Sequence, residues 1–288
     1  MNTSNLSEIE PANQKTHKIV AWCLLGGLLF LRLPFLTGIA MFAYPIWLIP
    51  VYEIGTYLLI ACLIYWERNH LADFHIDKLS LIIIIVFKPL STVVMFLMGS
   101  TRNPLAFPNW PGFSFWLIAI GLIIALRCSR TSLPGITKTS LAWLGLGLVF
   151  GLLLDLLLMY PLSFQIDTSS QFSIQKNLMG IPLNFLSQLG NAAISEEPLF
   201  RGFLWGFLLK SGWKNVWIWL FQTFLFIVGH LYYLNGSLIS LWVYIPVSGL
   251  VFGALVWRSK TIASSMATHA LSNSLGLVSW QIIARLRL

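Results

Sequence analysis

Apolar stretches near the roughly 20 residues needed to cross a bilayer recur from about Ile19 to the end of the chain, separated by short segments that hold most of the Lys, Arg and Pro. The candidate spans are 18–36, 42–66, 80–99, 113–128, 140–161, 178–209, 215–234, 237–257 and 262–282. This pattern predicts an all-α fold, a polytopic transmembrane helix bundle with about eight or nine membrane helices. It also divides the chain into a polar N-terminal tail over 1–17, a transmembrane helical scaffold over 18–161, an extramembrane loop over 162–177 and a C-terminal helical region over 178–282. One span is too long for a single crossing. At 1.5 Å per residue, 178–209 would reach about 48 Å against a hydrocarbon core of ~30 Å. Pro198 removes a helix hydrogen bond within it, so a kinked or two-part helix is expected there.

Composition agrees with the pattern. Hydrophobic residues make up 57% of the chain and charged residues only 10%, against about 25% charged in a soluble domain. The excess of 18 basic over 10 acidic residues gives a net charge of +8, which in a soluble protein could signal nucleic acid. Here the basic residues sit at helix ends and form no stripe with interleaved aromatics, so no nucleic-acid partner is expected. With the N-terminus inside, Arg68, Lys78, Arg127, Arg130, Lys138, Lys210, Lys214, Arg258 and Lys260 all fall on the cytoplasmic side, as the positive-inside rule requires. The C-terminal Arg285 and Arg287 would fall outside. Arg32 and Pro34 interrupt the first apolar run, which reads as an uncleaved helix rather than a signal peptide. Cys23, Cys62 and Cys128 form neither CxxC nor CxxCH and read as small buried hydrophobes.

An ionisable side chain near the bilayer centre costs at least ~2.5–3.5 kcal/mol, so each one needs a partner or a purpose. The densest cluster is Ser195-Glu196-Glu197-Pro198-Leu199-Phe200-Arg201, inside an otherwise apolar stretch. Glu197 and Arg201 are four apart and share a helical face, so the arginine can neutralise that carboxylate. Glu196 points about 100° away and can face a polar cavity as a general base. The bland alternative is an ion-pair staple between helices. Further on, His230 follows Phe226-Ile227-Val228-Gly229, and His269 and Asn273 lie four apart on the last span. With Lys210, Lys214 and Lys260 at the inner interface, Glu196 lies ~21 Å deep, His230 ~24 Å, His269 ~14 Å and Asn273 ~20 Å, so three helices bring polar groups to a similar level. Arg32, Glu53, Lys88 and Asp155 lack this clustering and read as pairing partners or snorkelling residues without a direct role in chemistry.

Such a set suffices for amide hydrolysis. Glu196 and His230 can take a proton from water, while His269 and Asn273 stabilise the oxyanion on the scissile carbonyl. The same Glu196, His230 and His269 could instead hold a divalent metal such as zinc, two histidines and a carboxylate being a hydrolytic zinc set. No HExxH motif is present, and the residues leave both mechanisms, with a metal or with none, open.

The motifs EExxxR at Glu196–Arg201, FxxxH at Phe226–His230 and HxxxN at His269–Asn273, in this order on successive late helices, resemble the CPBP family. That family includes CAAX prenyl endopeptidases, lysostaphin resistance protein A-like proteins and bacteriocin-processing and self-immunity proteins. The resemblance covers about residues 178–277 and implies an intramembrane endopeptidase, with 178–282 as its catalytic helical region. It implies that Glu196 activates water with His230, that His269 and Asn273 support the oxyanion, and that Glu197 and Arg201 orient the site. It also implies a membrane-associated protein or peptide as substrate, within the lipid bilayer. The short N-terminal region and the absence of a soluble domain point to a bacterial cytoplasmic membrane, where a peptide precursor, a membrane-protein segment or an immunity role fits better than prenyl-protein maturation. A catalytically silent membrane binder or immunity protein is the alternative. A transporter would show internal repeats or paired broken helices, and none is visible.

Overall fold

The computed structural model describes residues 4–41, 48–99, 103–131, 135–162, 174–235 and 237–286. Among these the regular structure is entirely helical. Helix α1 runs Ser4–Met41, α2 Leu48–Trp66, α3 Lys78–Leu97, α4 Trp110–Cys128 and α5 Lys138–Leu162. Then follow α6 (Ile174–Gln188), α7 (Ile194–Glu197), α8 (Trp205–Lys210), α9 (Asn215–Val228), α10 (Ile245–Ser259) and α11 (Ile262–Leu286). Six described helices are long and apolar enough to cross a membrane, at Lys15–Leu33, Leu48–Trp66, Lys78–Leu97, Trp110–Cys128, Lys138–Leu158 and Ser240–Ser259. Helix α9 is a shorter apolar helix. The chain is an integral membrane protein. Of the expected loop 162–177, residues 163–173 lie outside the described residues, and Ile174 already begins α6.

The ends of several helices meet at one face. Asp77 caps α3 by accepting from Ser80 N at 2.8 Å, and its neighbours cap another helix as well. Ile262 N donates to His75 O at 2.9 Å and Ala263 N to Ser80 Oγ at 3.1 Å, so the 75–80 turn satisfies N–H groups that the first turn of α11 would otherwise leave unpaired. Lys210 joins the same face through Asp73 at 3.2 Å, and His17 stacks on Trp66 with ring centres 5.1 Å apart. The start of the first span and the basic ends at Lys78, Lys210 and Lys260 therefore share one side, as the charge pattern requires.

Within the bundle, α11 packs along α5 through small residues. Gly147 and Gly151 of α5 face Ser264 and Thr268 of α11, and a Cβ at Gly151 would lie 2.9 Å from Thr268 O. Thr268 Oγ1 donates to Gly147 O at 2.8 Å. Between membrane helices, where lipid is as apolar as the interface, such close approach is the main source of association. Asp155, a fully buried carboxylate among leucines, accepts from Ser279 Oγ and ties the same two helices. Cys23 and Cys128 are exposed on the bundle surface rather than buried, since the outward faces of α1 and α4 meet lipid and not protein.

Candidate active site

The expected interruption at the Glu pair takes an unexpected form. Residues Leu189–Ala193 and Pro198–Leu204 are π-helical, with the short α7 between them. A π turn bonds i to i+5, which accommodates the missing N–H of Pro198 by widening the helix, so no sharp break is needed. Gly190 lets the first π turn lie directly on Phe87 and Ser91 of α3. Glu196, Glu197 and Arg201 are all buried.

Glu197 is held from two helices. Its Oε1 accepts from Arg201 Nη1 at 3.3 Å and from His269 Nδ1 at 2.9 Å. Arg201 is closed in by aromatic rings, its guanidinium 4.4 Å from the centre of Phe226 and 5.4 Å from that of Phe252, and it also donates to Gly249 O at 3.4 Å. Because a carboxylate oxygen can only accept here, the proton lies on His269 Nδ1. His269 Nε2 then points toward Glu196, 3.9 Å from its Oε2.

Glu196 is held from the other side of the bundle. Its Oε1 accepts from Arg32 Nη2 of α1. Arg32 Nη1 donates to Tyr52 OH and lies 3.9 Å from Glu53 Oε1. Glu53 Oε2 is paired with Lys88 Nζ of α3 at 2.8 Å, and Lys88 also reaches Asn191 Oδ1 at 3.3 Å. The result is a continuous, largely buried chain of ionisable groups: Lys88, Glu53, Arg32, Glu196, His269, Glu197, Arg201. Three carboxylates face three permanent cations, so the chain is balanced with neutral histidine. The outer oxygen of each adjacent glutamate, Glu196 Oε2 and Glu197 Oε2, accepts no hydrogen bond from a described group.

His230 lies one residue beyond the Gly229 cap of α9, in the turn after that helix rather than within it. Its Nδ1 donates to Phe226 O at 2.7 Å, leaving the lone pair on Nε2. It is buried and close enough to Glu196 and His269 to interact electrostatically with both, and Phe226 packs against both imidazoles, with ring centres 4.5 Å and 6.1 Å away. Asn273 sits one turn beyond His269 on α11, where its Nδ2 donates to Gln188 Oε1 at 3.2 Å. Five of the six expected residues thus form one interacting cluster, with Asn273 at its edge. The pairings of Arg32, Glu53 and Lys88 agree with the expectation of buried partners, but their convergence on Glu196 was not read from the sequence. The signal available was three intramembrane charges in three consecutive spans.

The set Glu196, His230 and His269 is not arranged to hold a metal ion. Among the described residues no group of three His, Cys, Asp or Glu side chains could do so. One oxygen of Glu196 is already occupied by a guanidinium, and a divalent cation would add charge to a chain that is balanced without it. An open groove of about 660 Å³ on the outer face of α9, lined by residues including Trp213, Lys214, Trp217 and Phe224, involves none of the cluster.

A polytopic helical bundle with two adjacent carboxylates, two oriented histidines and a guanidinium buried together in its membrane region has the features of an intramembrane hydrolase. Residues 179–275 match the family model of the type II CAAX prenyl endopeptidase Rce1-like proteins. The match supports the resemblance of this segment's motifs to the CPBP group, a group of membrane-embedded proteases. No curated protein and no solved structure matches the chain.

Proposed function

We propose that the protein is an intramembrane endopeptidase that hydrolyses a peptide bond of a membrane-associated protein or peptide with Glu196 as the base. The observation that carries this reading is the asymmetry of Glu196, whose Oε1 is fixed by Arg32 while Oε2 accepts no hydrogen bond from a described group and lies 3.9 Å from His269 Nε2. A water at Oε2 donates one hydrogen bond there and a second to His230 Nε2, which has its lone pair free because Nδ1–H is bonded to Phe226 O. Glu196 takes the water proton as the oxygen attacks the scissile carbonyl carbon. Asn273 Nδ2 stabilises the resulting oxyanion, beside His269, whose Nδ1–H is accepted by Glu197. Glu196 then returns its proton to the leaving nitrogen, and the C–N bond breaks to give a carboxylic acid and an amine. Glu197 and Arg201 orient His269. In this reading the protein lies in a bacterial cytoplasmic membrane with its N-terminus inside.

The test is turnover of a quenched membrane-peptide library by the purified, detergent-solubilised chain. Glu196→Ala, His230→Ala and His269→Ala should each lower cleavage at least ~100-fold, the usual scale for a general acid or base. Parallel samples with a chelator should cut at the untreated rate. Loss on chelation would move the chemistry to a metal, and a folded wild type that cuts nothing would favour a silent binder.

A further inference from the structure

We infer that Arg32, in the first helix and outside the matched segment 179–275, is a positioning residue for Glu196, so that the active site is completed by the N-terminal scaffold. This rests on the proposed role of Glu196 as base.

Three features distinguish this from a general charge staple. First, the contact is specific. Arg32 binds one oxygen of Glu196 and leaves the other toward His269 Nε2 at 3.9 Å. Second, the guanidinium is itself fixed, since its other terminal nitrogen is on Tyr52 OH and beside Glu53. A planar fork held at both ends sets the direction of the carboxylate as well as its charge. Third, Glu53 already has a closer cation, with Lys88 at 2.8 Å against 3.9 Å for Arg32. The guanidinium is therefore not required to neutralise Glu53, and its closest acidic partner is Glu196. Arg32 and Glu196 are 5% and 3% exposed, so water screens the pair little.

The test uses the full chain. A double-mutant cycle in thermal midpoint comes first: Arg32→Met should lower the midpoint of wild type, and at least half of that loss should disappear in a Glu196→Gln background. Kinetics follow on Arg32→Lys, Arg32→Met and Arg32→Met/Glu53→Gln. The last variant keeps the network's net charge, because Lys88 and Glu196 remain as one cation and one anion, yet it leaves Glu196 without its fork. A misplaced catalytic group costs on the order of 100-fold, so kcat should fall about that much in the double variant, with KM within about threefold, while Arg32→Lys recovers part of the loss. Full kcat in a folded double variant, a change confined to KM, or an absent thermal coupling would each overturn the proposal while leaving the protease reading intact. A wild type that cuts nothing removes the protease reading and reduces Arg32 to a staple.

Discussion

Glu197 is gripped by Arg201 on its own helix and His269 on another, and all three are buried. Replacing it with Gln would strand the Arg201 guanidinium among aromatic rings, and an uncompensated buried charge typically costs about 3–5 kcal/mol. Glu197→Gln should therefore be strongly destabilised in denaturation measured in detergent, and Glu197→Gln/Arg201→Met should recover much of the loss. At the aqueous end of the bundle, His75 is buried, with neither ring nitrogen hydrogen-bonded to a described group. Burial, with Lys260 nearby, pushes its pKa from 6.5 down to about 4, despite the opposing effect of Asp73. Between those values the unfolded chain binds the proton and the folded one does not, so stability is full above pH 6.5 and falls as the pH drops toward 4. The loss amounts to roughly 3 kcal/mol at pH 4. His75→Phe should flatten that part of the profile, and a profile unchanged by the substitution would show that His75 is not the group responsible.

At the scale of elements, the contact between α5 and α11 sets where His269 and Asn273 stand. A side chain at Gly151 would meet Thr268 O at 2.9 Å and Leu271 Cβ at 3.0 Å, so α11 would have to move. Overpacking of this kind costs about 1–3 kcal/mol. Gly151→Val should lower both the thermal midpoint and kcat, whereas substitution at Gly121, with open space around its Cβ position, should leave both near wild type. A Gly151→Val protein with full kcat would mean that α11 does not depend on this contact for its position. The π turns on either side of α7 act on the same site from the opposite direction. They seat Glu196 and Glu197 between α1 and α11 while keeping Pro198 inside a continuous helical segment.

For the molecule as a whole, the basic helix ends at Lys78, Lys210 and Lys260 gather on one face, together with the start of the first span. We propose that this face is the cytoplasmic one, on the ground of the positive-inside rule. In a chain whose native cysteines have been replaced, Ser211→Cys in the exposed turn after α8 should react with a membrane-impermeant maleimide only after the cells are permeabilised. Labelling of intact cells would reverse the orientation.

Spacing and solvent explain what could be read directly from the chain. Twenty-residue apolar runs admit one secondary structure in lipid, so the helical bundle was legible. The i to i+4 spacing of Glu197 and Arg201 made their pairing a local matter, and the cost of burying charge marked out the cluster at 196–201. Other features depended on which helices become neighbours. The order of residues does not encode that Arg32 of α1 meets Glu196 of α7, that Lys88 neutralises Glu53, or that His269 Nδ1 meets Glu197. The π turns were also hidden, because Pro198 announces a disturbed helix without saying how the backbone absorbs it. The chain's chemistry therefore singled out the ionisable groups, and helix packing decided which of them share charge, because electrostatic pairing in a low-dielectric interior depends on separations of a few ångströms between residues far apart in sequence.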